Sequence, residues 1–112
     1  MVAPTKFIYV ICEGKDAESV KIGFSVNPEK RVRQLQTGHA SPLVVFYKEE
    51  IEASKVRALE KIVHRLLSHH RQRGEWFSLA PTDAVLEIKH AVMRYGDIAD
   101  LSGRLRSDTL IF

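Results

Sequence analysis

Three stretches decide the fold of this chain: Phe7-Ile8-Tyr9-Val10-Ile11, Val20-Lys21-Ile22-Gly23-Phe24 and Asn27-Pro28-Glu29-Lys30-Arg31. The first two are continuous apolar, β-rich runs joined by a polar stretch that contains Gly14, so they predict an antiparallel hairpin with a long loop. In the third stretch Asn27 offers a side-chain cap, and Pro28 suits the first helical position. This order predicts a hairpin that brings a tyrosine and a lysine to one side of a helix carrying an arginine.

The rest of the chain predicts one more strand and two more helices. Residues 43–47 follow Pro42 as a third strand, and a long amphipathic helix runs from Ser54 to about His70. Residues 74–79 are typical of an extended segment or a brief strand. Thr82 or Asp83 can cap a last helix that ends near Gly96. We therefore expect an α/β (α+β) domain with a small, mostly antiparallel three-stranded sheet flanked by helices.

Composition indicates a folded protein. The chain has 112 residues, 45% of them hydrophobic and 28% charged, which is the balance of a globular domain. No stretch approaches the ~20 apolar residues of a membrane span, and the first residues lack the pattern of a secretory signal, so we expect a cytoplasmic location and no membrane partner. Cys12 is the only cysteine; this excludes an internal disulfide and a cysteine-rich zinc site, and we expect a small buried core residue there.

Basic residues fall in two clusters although the net charge is only +3. One cluster, on the first helix, includes Lys30, Arg31 and Arg33. The other comprises Lys61, Arg65, Arg71 and Arg73 together with His64, His69 and His70. Each cluster is either a solvated face or a phosphate-binding surface, and the residues alone leave both interpretations open. We expect no zinc site among the histidines, because His69 and His70, adjacent on a helix, should point about 100° apart.

The residue types around the hairpin suit phosphodiester cleavage. That reaction needs an activated water, positive charge against the phosphate, and usually a divalent cation held by carboxylate oxygen. Lys21 and Arg31 can supply the charge, and Tyr9 can orient water or accept its proton. Glu60 in the long helix is the best carboxylate, and His64 projects from the same face one turn later. Taken singly, each of these residues also fits an ordinary structural role.

Taken in order, these pieces resemble the GIY-YIG nuclease superfamily. The likeness is greatest to its compact branch known from phages, bacteria and a fungal meiotic gene, in which the second tyrosine is commonly lysine. It covers about residues 7–79. The matching segments are Phe7-Ile8-Tyr9-Val10, Val20-Lys21-Ile22-Gly23, Asn27-Pro28-Glu29-Lys30-Arg31-Val32-Arg33-Gln34-Leu35, Ala58-Leu59-Glu60-Lys61-Ile62-Val63-His64 and Arg73-Gly74-Glu75-Trp76-Phe77.

The resemblance implies a metal-dependent DNA endonuclease and a role for each matching position. Tyr9 takes the place of the family's first tyrosine and Lys21 that of the second. Arg31 matches the arginine that contacts the scissile phosphate. Glu60 matches the carboxylate that binds a single divalent ion, Mg²⁺ or Mn²⁺, and His64 matches a histidine that supports the phosphate or the water.

Two departures from the family pattern bear on mechanism. Phe7 stands where the first motif has glycine, so no argument from glycine's backbone freedom applies there. Lys21 in place of tyrosine leaves two options open: the lysine activates water, or it remains a fixed charge while Tyr9 does so.

The expected partner is DNA, of unknown strandedness, contacted by Lys30, Arg33, Arg71 and Arg73. We expect residues 1–96 to form the nuclease domain and residues 97–112 to extend it. Two alternatives stand beside the enzyme. One is a noncatalytic DNA-binding or protein-interaction module that keeps the fold. The other is a DNA-processing subunit that is active only in a larger phage or defence assembly, with the tail after Gly103 as its docking element. A homodimer is also an expected form of the protein.

The aromatic pair Trp76-Phe77 has two interpretations. Beside Arg71 and Arg73 the two rings could stack on bases, as in single-strand binding. We favour a structural role for both rings. In this role Gly74 makes the turn, both rings close the core under the long helix, and Glu75 pairs with a nearby basic side chain.

Overall fold

The predicted hairpin forms in the computed structural model, which describes residues 3–96. Strand β1 (Thr5–Cys12) pairs antiparallel with β2 (Val20–Ser25), with Tyr9 opposite Gly23 and Ile11 opposite Lys21. Residues directly opposite each other in an antiparallel pair project to the same face, and the side-chain period along a strand is two. Tyr9, Lys21 and Gly23 therefore share one face of the hairpin.

Helix α1 (Pro28–Gln36) begins where the sequence predicted. The side chain of Asn27 accepts a hydrogen bond from the backbone N–H of Lys30 at 3.1 Å, and Pro28 occupies the first turn. Val32 and Leu35 pack onto the sheet face that carries Tyr9. The cap and the apolar pair thus place the first turn of α1 next to the tyrosine and the lysine.

Within residues 3–96 the sheet has five strands in the order β3-β1-β2-β5-β4, so the expectation of three strands was wrong. The missed pairing lies in β4 (Arg71–Arg73) and β5 (Trp76–Phe77), which are joined through Gly74 at φ 59°. These strands are only three and two residues long. β4 is fully exposed and polar, so it carries no alternation of apolar residues from which a strand could be predicted.

The remaining element boundaries differ from the prediction in ways that have physical reasons. Strand β3 (Val44–Glu52) runs past residue 47 because it is an edge strand, where charged side chains can face solvent. Helix α2 (Ala53–Leu66) ends before a separate 3₁₀ turn (Ser68–His70). Helix α3 (Pro81–Tyr95) begins at Pro81 without a side-chain cap, so neither predicted cap residue is used. Its predicted end near Gly96 is confirmed.

The sheet separates two apolar layers. One face packs against α2 and α3 through a core that includes Ile8, Ile22, Leu59 and Phe77, and Cys12 is buried in this layer as predicted. The opposite face carries Tyr9, Ile11 and Leu43 under α1. Within residues 3–96, no helix has the length and apolarity to cross a bilayer. The predicted extension of residues 97–112, with the tail after Gly103, lies outside the described residues.

Candidate active site

The candidate site lies at the sheet edge where β5 begins at Trp76. Strand β5 covers only Val20 and Lys21 of β2. Beyond that point the backbone of Ile22 is satisfied in another way: its N–H donates to the carbonyl of Glu75 at 3.0 Å, and its carbonyl accepts from Nε2 of His64 at 2.8 Å. Side chains of α2 therefore reach a strand edge that a longer neighbouring strand would have covered.

Glu75 lies at the centre of this edge. Its Oε1 is 3.2 Å from Nζ of Lys21, whose side chain is only 9% exposed. The Lys21 ammonium group also lies 5.9 Å from the centre of the Trp76 ring. A buried ammonium group needs a charged or hydrogen-bonding partner. Glu75 supplies that partner here, which confirms the predicted pairing of Glu75 with a nearby basic side chain.

Only glycine fits at position 23, because two neighbouring side chains lie close to its Cα atom. A Cβ atom at position 23 would lie 2.6 Å from the Tyr9 hydroxyl oxygen and 2.8 Å from Oε1 of Glu75. Both distances are too short for a real carbon contact. The absent side chain at Gly23 therefore makes the space in which the phenol and the carboxylate meet.

Tyr9 joins the hairpin to α1. Its side chain is 1% exposed, and its hydroxyl oxygen accepts a hydrogen bond from the Arg31 guanidinium group. Burial raises the pKa of the Tyr9 phenol, and the Arg31 hydrogen bond only partly opposes that rise. Tyr9 is therefore protonated near neutral pH, with its O–H available as a donor. Arg31 also donates to Oε1 of Gln34 at 3.4 Å, one helical turn away.

The carboxyl group of Glu60, on α2, lies against Glu75 in the same cluster. Burial is the main cause that raises its pKa to about 7, and the second is the negative charge of Glu75, with which the Glu60 carboxyl group shares a hydrogen bond. Two carboxyl groups in contact at a half-buried site are unfavourable when both are ionised. This pair is the kind of oxygen donor set that Mg²⁺ uses, because that ion binds through one or two carboxylates and keeps several waters.

A metal cage made by the protein alone is not present in the described part of the chain. No group of three or more His, Cys, Asp or Glu side chains there could hold a metal ion. Glu60 and Glu75 are two oxygen donors, which fits an ion that completes its shell with water and phosphate. The residues present therefore fit Mg²⁺ or Mn²⁺.

His64 has both ring nitrogens engaged with the chain. Because Nε2 lies 2.8 Å from a carbonyl oxygen, it must carry the proton, which leaves Nδ1 to accept from Arg71 at 3.4 Å. The ring also meets Phe77 edge-on at 4.9 Å. Burial lowers the pKa of His64, so the neutral form is favoured. In this geometry His64 ties α2 to the edge of β2.

The predicted site residues divide into a cluster and a periphery. Tyr9, Lys21, Arg31 and Glu60, which come from four different elements, lie together around Glu75. The residues predicted to contact nucleic acid, Lys30, Arg33, Arg71 and Arg73, are all exposed on α1 and β4.

The histidine pair after α2 does not diverge as expected. The rings of His69 and His70 lie 4.0 Å apart, because the helix has already ended and both residues are in the 3₁₀ turn.

Phe77 and Trp76 take different places. Phe77 is fully buried beneath α2, as the structural interpretation predicted. Trp76 is half-buried and packs on the other face with Tyr9 and Ile11, so its predicted place under the long helix was wrong. The two residues are neighbours on one strand, and their side chains must therefore project to opposite faces.

The central residue of the site, Glu75, was assigned only a structural role from the sequence. The signal that could have identified it is its place after Gly74, in a segment that returns the chain to the edge of β2. No comparable sequence signal indicated that Gln34 bonds to Arg31 or that His39 stacks on Trp76.

A family model supports a common origin for most of this structure. The model of the T5orf172 domain matches residues 6–93, which include all five clustered residues. This domain falls in a group associated with nucleases. No curated protein and no solved structure matches the chain.

Proposed function

The chain belongs to the T5orf172 domain family, and we propose that it is a divalent-metal-dependent nuclease that hydrolyses phosphodiester bonds in DNA. The observation that carries the proposal is the cluster in which Tyr9, Lys21, Arg31 and Glu60 meet around Glu75. It combines cationic groups that suit a phosphate with carboxylate oxygens that suit Mg²⁺. The resemblance to the GIY-YIG superfamily supports the same function.

In the proposed site the cations bind the phosphate. Arg31 is held by Tyr9 and Gln34, so its guanidinium plane has a defined orientation. Lys21 is oriented by Glu75 and Trp76. Cations fixed before the substrate arrives stabilise the charge that develops on the phosphate oxygens without reorganising during the reaction.

Tyr9 orients the attacking water in this proposal. Its raised pKa makes the phenolate unfavourable at neutral pH, and the hydroxyl oxygen already accepts from Arg31, so the O–H remains to donate. Lys21 acts as a fixed charge, since its ammonium group is engaged in the ion pair with Glu75. The ion pair favours the option in which Lys21 remains a fixed charge, and the raised pKa of Tyr9 favours a neutral phenol that orients the water over a phenolate that accepts its proton.

Glu60 and Glu75 are the residues that would hold Mg²⁺ or Mn²⁺. When bound, such an ion supplies Lewis-acid stabilisation of a phosphate oxygen and lowers the pKa of water. Hydrolysis forms a bond from the water oxygen to phosphorus and breaks the bond from phosphorus to O3′. The attacking water gives up one proton to the solvent and the departing O3′ takes one from it, which leaves a 5′-phosphate and a 3′-hydroxyl group, as the resemblance implies.

Exposed basic side chains on two elements provide the proposed DNA contacts. Lys30 and Arg33 on α1, with Arg71 and Arg73 on β4, flank the cluster. Contacts of this type act on the phosphate backbone and weaken as salt increases. We further propose that residues 1–96 form the nuclease domain and that residues 97–112 extend it.

The test uses the full chain with supercoiled plasmid, linear duplex and single-stranded DNA, in Mg²⁺, in Mn²⁺ and in EDTA. We expect cleavage that requires the metal and falls by at least about 100-fold in Arg31→Gln and Glu60→Gln, because each removes charge from the reacting phosphate or its metal. Glu87→Gln is the matched control, since it removes a carboxylate from α3, which contributes no residue to the cluster. Circular dichroism confirms that each variant is folded.

Two results would count against the proposal in different ways. Cleavage retained by both site variants would refute the assignment of the site. Metal-independent binding of DNA without cleavage under every condition would favour the noncatalytic module that keeps the fold.

A further inference from the structure

A cavity lies directly beside the proposed active site. It is an open cavity with a volume of about 1140 Å³, lined by the loop between β1 and β2, the end of α1, and β4. Trp76 is the shared wall, because its ring lines the cavity and also lies 5.9 Å from Nζ of Lys21. Any polymer that places a phosphate at Lys21 thus has the cavity next to it.

The cavity contains a preformed aromatic surface. The rings of His39 and Trp76 are parallel within 5° and their centres lie 5.8 Å apart, which is an offset stack. Nε2 of His39 lies 2.8 Å from Oε2 of Glu13, and this contact fixes the plane of the imidazole. Aligned, half-buried rings form a platform on which a further flat ring can stack.

The polar groups of the cavity suit a neutral ring better than a phosphate. Glu13, Asp16 and Glu18 line the wall and outnumber Arg73, its one Lys or Arg side chain, so the net charge there opposes an anion. Carboxylates accept hydrogen bonds from the exocyclic amino groups of bases, as in recognition of cytosine N4. Gln34 adds an amide nitrogen that can donate, and Gln72 adds an amide oxygen that can accept, because their other amide atoms already bond to Arg31, Ser19 and Ser78.

We propose that this cavity binds a single unpaired nucleobase of the strand whose phosphate lies at Lys21. The inference rests on the proposed nuclease function and specifies its substrate class: single-stranded DNA, or duplex with a nucleotide out of the stack. A base inside a regular duplex is stacked on both sides and paired at its edge, so neither its faces nor its edge can contact the walls of this cavity. Stacking on the His39–Trp76 platform compensates for unstacking from the neighbours.

Trp76 is the only tryptophan of the chain, so its fluorescence reports directly on the cavity. The full protein is titrated in EDTA with a single-stranded oligodeoxycytidine and with an abasic strand of the same length and charge. We expect oligodeoxycytidine to quench Trp76 fluorescence, and the abasic strand to leave it unchanged. Anisotropy of the labelled strands should show affinity for oligodeoxycytidine roughly 5- to 100-fold above that for the abasic strand.

A pair of histidine variants locates the effect. His39→Ala removes half of the platform and should lower the affinity for oligodeoxycytidine about fivefold or more, with little change for the abasic strand. His90→Ala is the matched control, because His90 is exposed on α3 and does not line the cavity. If His39→Ala fails to fold, the comparison of oligodeoxycytidine with the abasic strand in the unmodified protein still tests the proposal.

The outcomes separate this inference from the proposed function. Equal affinity for the two strands with unchanged fluorescence overturns the base site, whether or not the protein cleaves DNA. Base-dependent quenching together with no cleavage in Mg²⁺ or Mn²⁺ supports the base site and counts against the nuclease.

Discussion

Replacing Glu60 with glutamine should stabilise the metal-free protein at pH 8. Glutamine has the shape of the glutamate side chain and keeps a donor toward Glu75, but it carries no charge. Burial and the neighbouring Glu75 raise the pKa of Glu60 to about 7, so at pH 8 the native state holds an ionised group in an unfavourable place. The substitution removes that cost.

The size of the effect follows from the change in pKa. The pKa of Glu60 rises from 4.5 to about 7. At about 1.4 kcal/mol for each unit of pKa, a fully buried group would account for ~3 kcal/mol. Because Glu60 is only half-buried, solvent screening reduces this to about 1 to 2 kcal/mol.

The sign of the pH dependence is determined by linkage. A group with a raised native pKa contributes stability that is complete below its unfolded value and is lost as pH rises through its native value. For Glu60 that window extends from pH 4.5 to about pH 7. Glu60→Gln should therefore exceed the unmodified protein in stability at pH 8, and the difference should disappear near pH 4.5.

Urea denaturation in EDTA at a series of pH values between these limits measures the difference. Glu87→Gln is the control, because it removes one carboxylate from α3 and leaves the Glu60–Glu75 pair intact. If Glu60→Gln is less stable than the unmodified protein at pH 8, or if its advantage does not change with pH, then the two carboxyl groups do not oppose each other as described.

Three further substitutions test the other contacts of the cluster. Gly23→Ala should lower the free energy of unfolding by about 1–3 kcal/mol, because its Cβ would meet the Tyr9 hydroxyl oxygen at 2.6 Å. Gly38→Ala, where a Cβ meets nothing within 4 Å, should be near neutral in the same urea titration, and equal effects would contradict the steric argument. At about pH 5, where Glu60 is protonated in the native state and does not repel Glu75, Glu75→Gln should cost about 1–3 kcal/mol, since it leaves the buried Lys21 without its carboxylate. The exposed pair of Glu29 and Lys48 is the comparison, and Glu29→Gln should cost less than about 1 kcal/mol in thermal or urea unfolding. Burial lowers the native pKa of His64, so the unmodified protein should lose stability relative to His64→Gln as pH falls from 6.5 through that lower value. Parallel pH curves for the two proteins would show that His64 is not buried in its neutral form.

Much of the fold could be predicted because the signals are local. The cap at Asn27 and the proline after it mark the start of α1 with no reference to the rest of the protein. The apolar period of α2 identifies the face that it buries. In contrast, β4 is three exposed polar residues, and it is a strand only because β5 lies beside it.

The sequence predicted those residues of the candidate site whose side-chain type suits only a few chemical roles. A tyrosine and a lysine on paired strands, with an arginine on the next helix, are brought together by the hairpin register and the helix start. The position of Glu75 depends on where a two-residue strand begins. No periodicity in the sequence encodes that start, and the central residue of the cluster was therefore assigned only a pairing role.

The sequence by itself determined the hairpin, the start of α1 and the shared face of Tyr9 and Lys21, because strand alternation and helix capping act between residues close in the chain. Only the tertiary structure decided that β5 begins at Trp76, which leaves β2 open beyond Lys21, and that Glu60 meets Glu75 at this open edge. It also decided that the cavity beside Trp76 contains a stacked histidine. These contacts join residues far apart in sequence, and they depend on the packing of helices and short strands around the sheet, which no local pattern specifies.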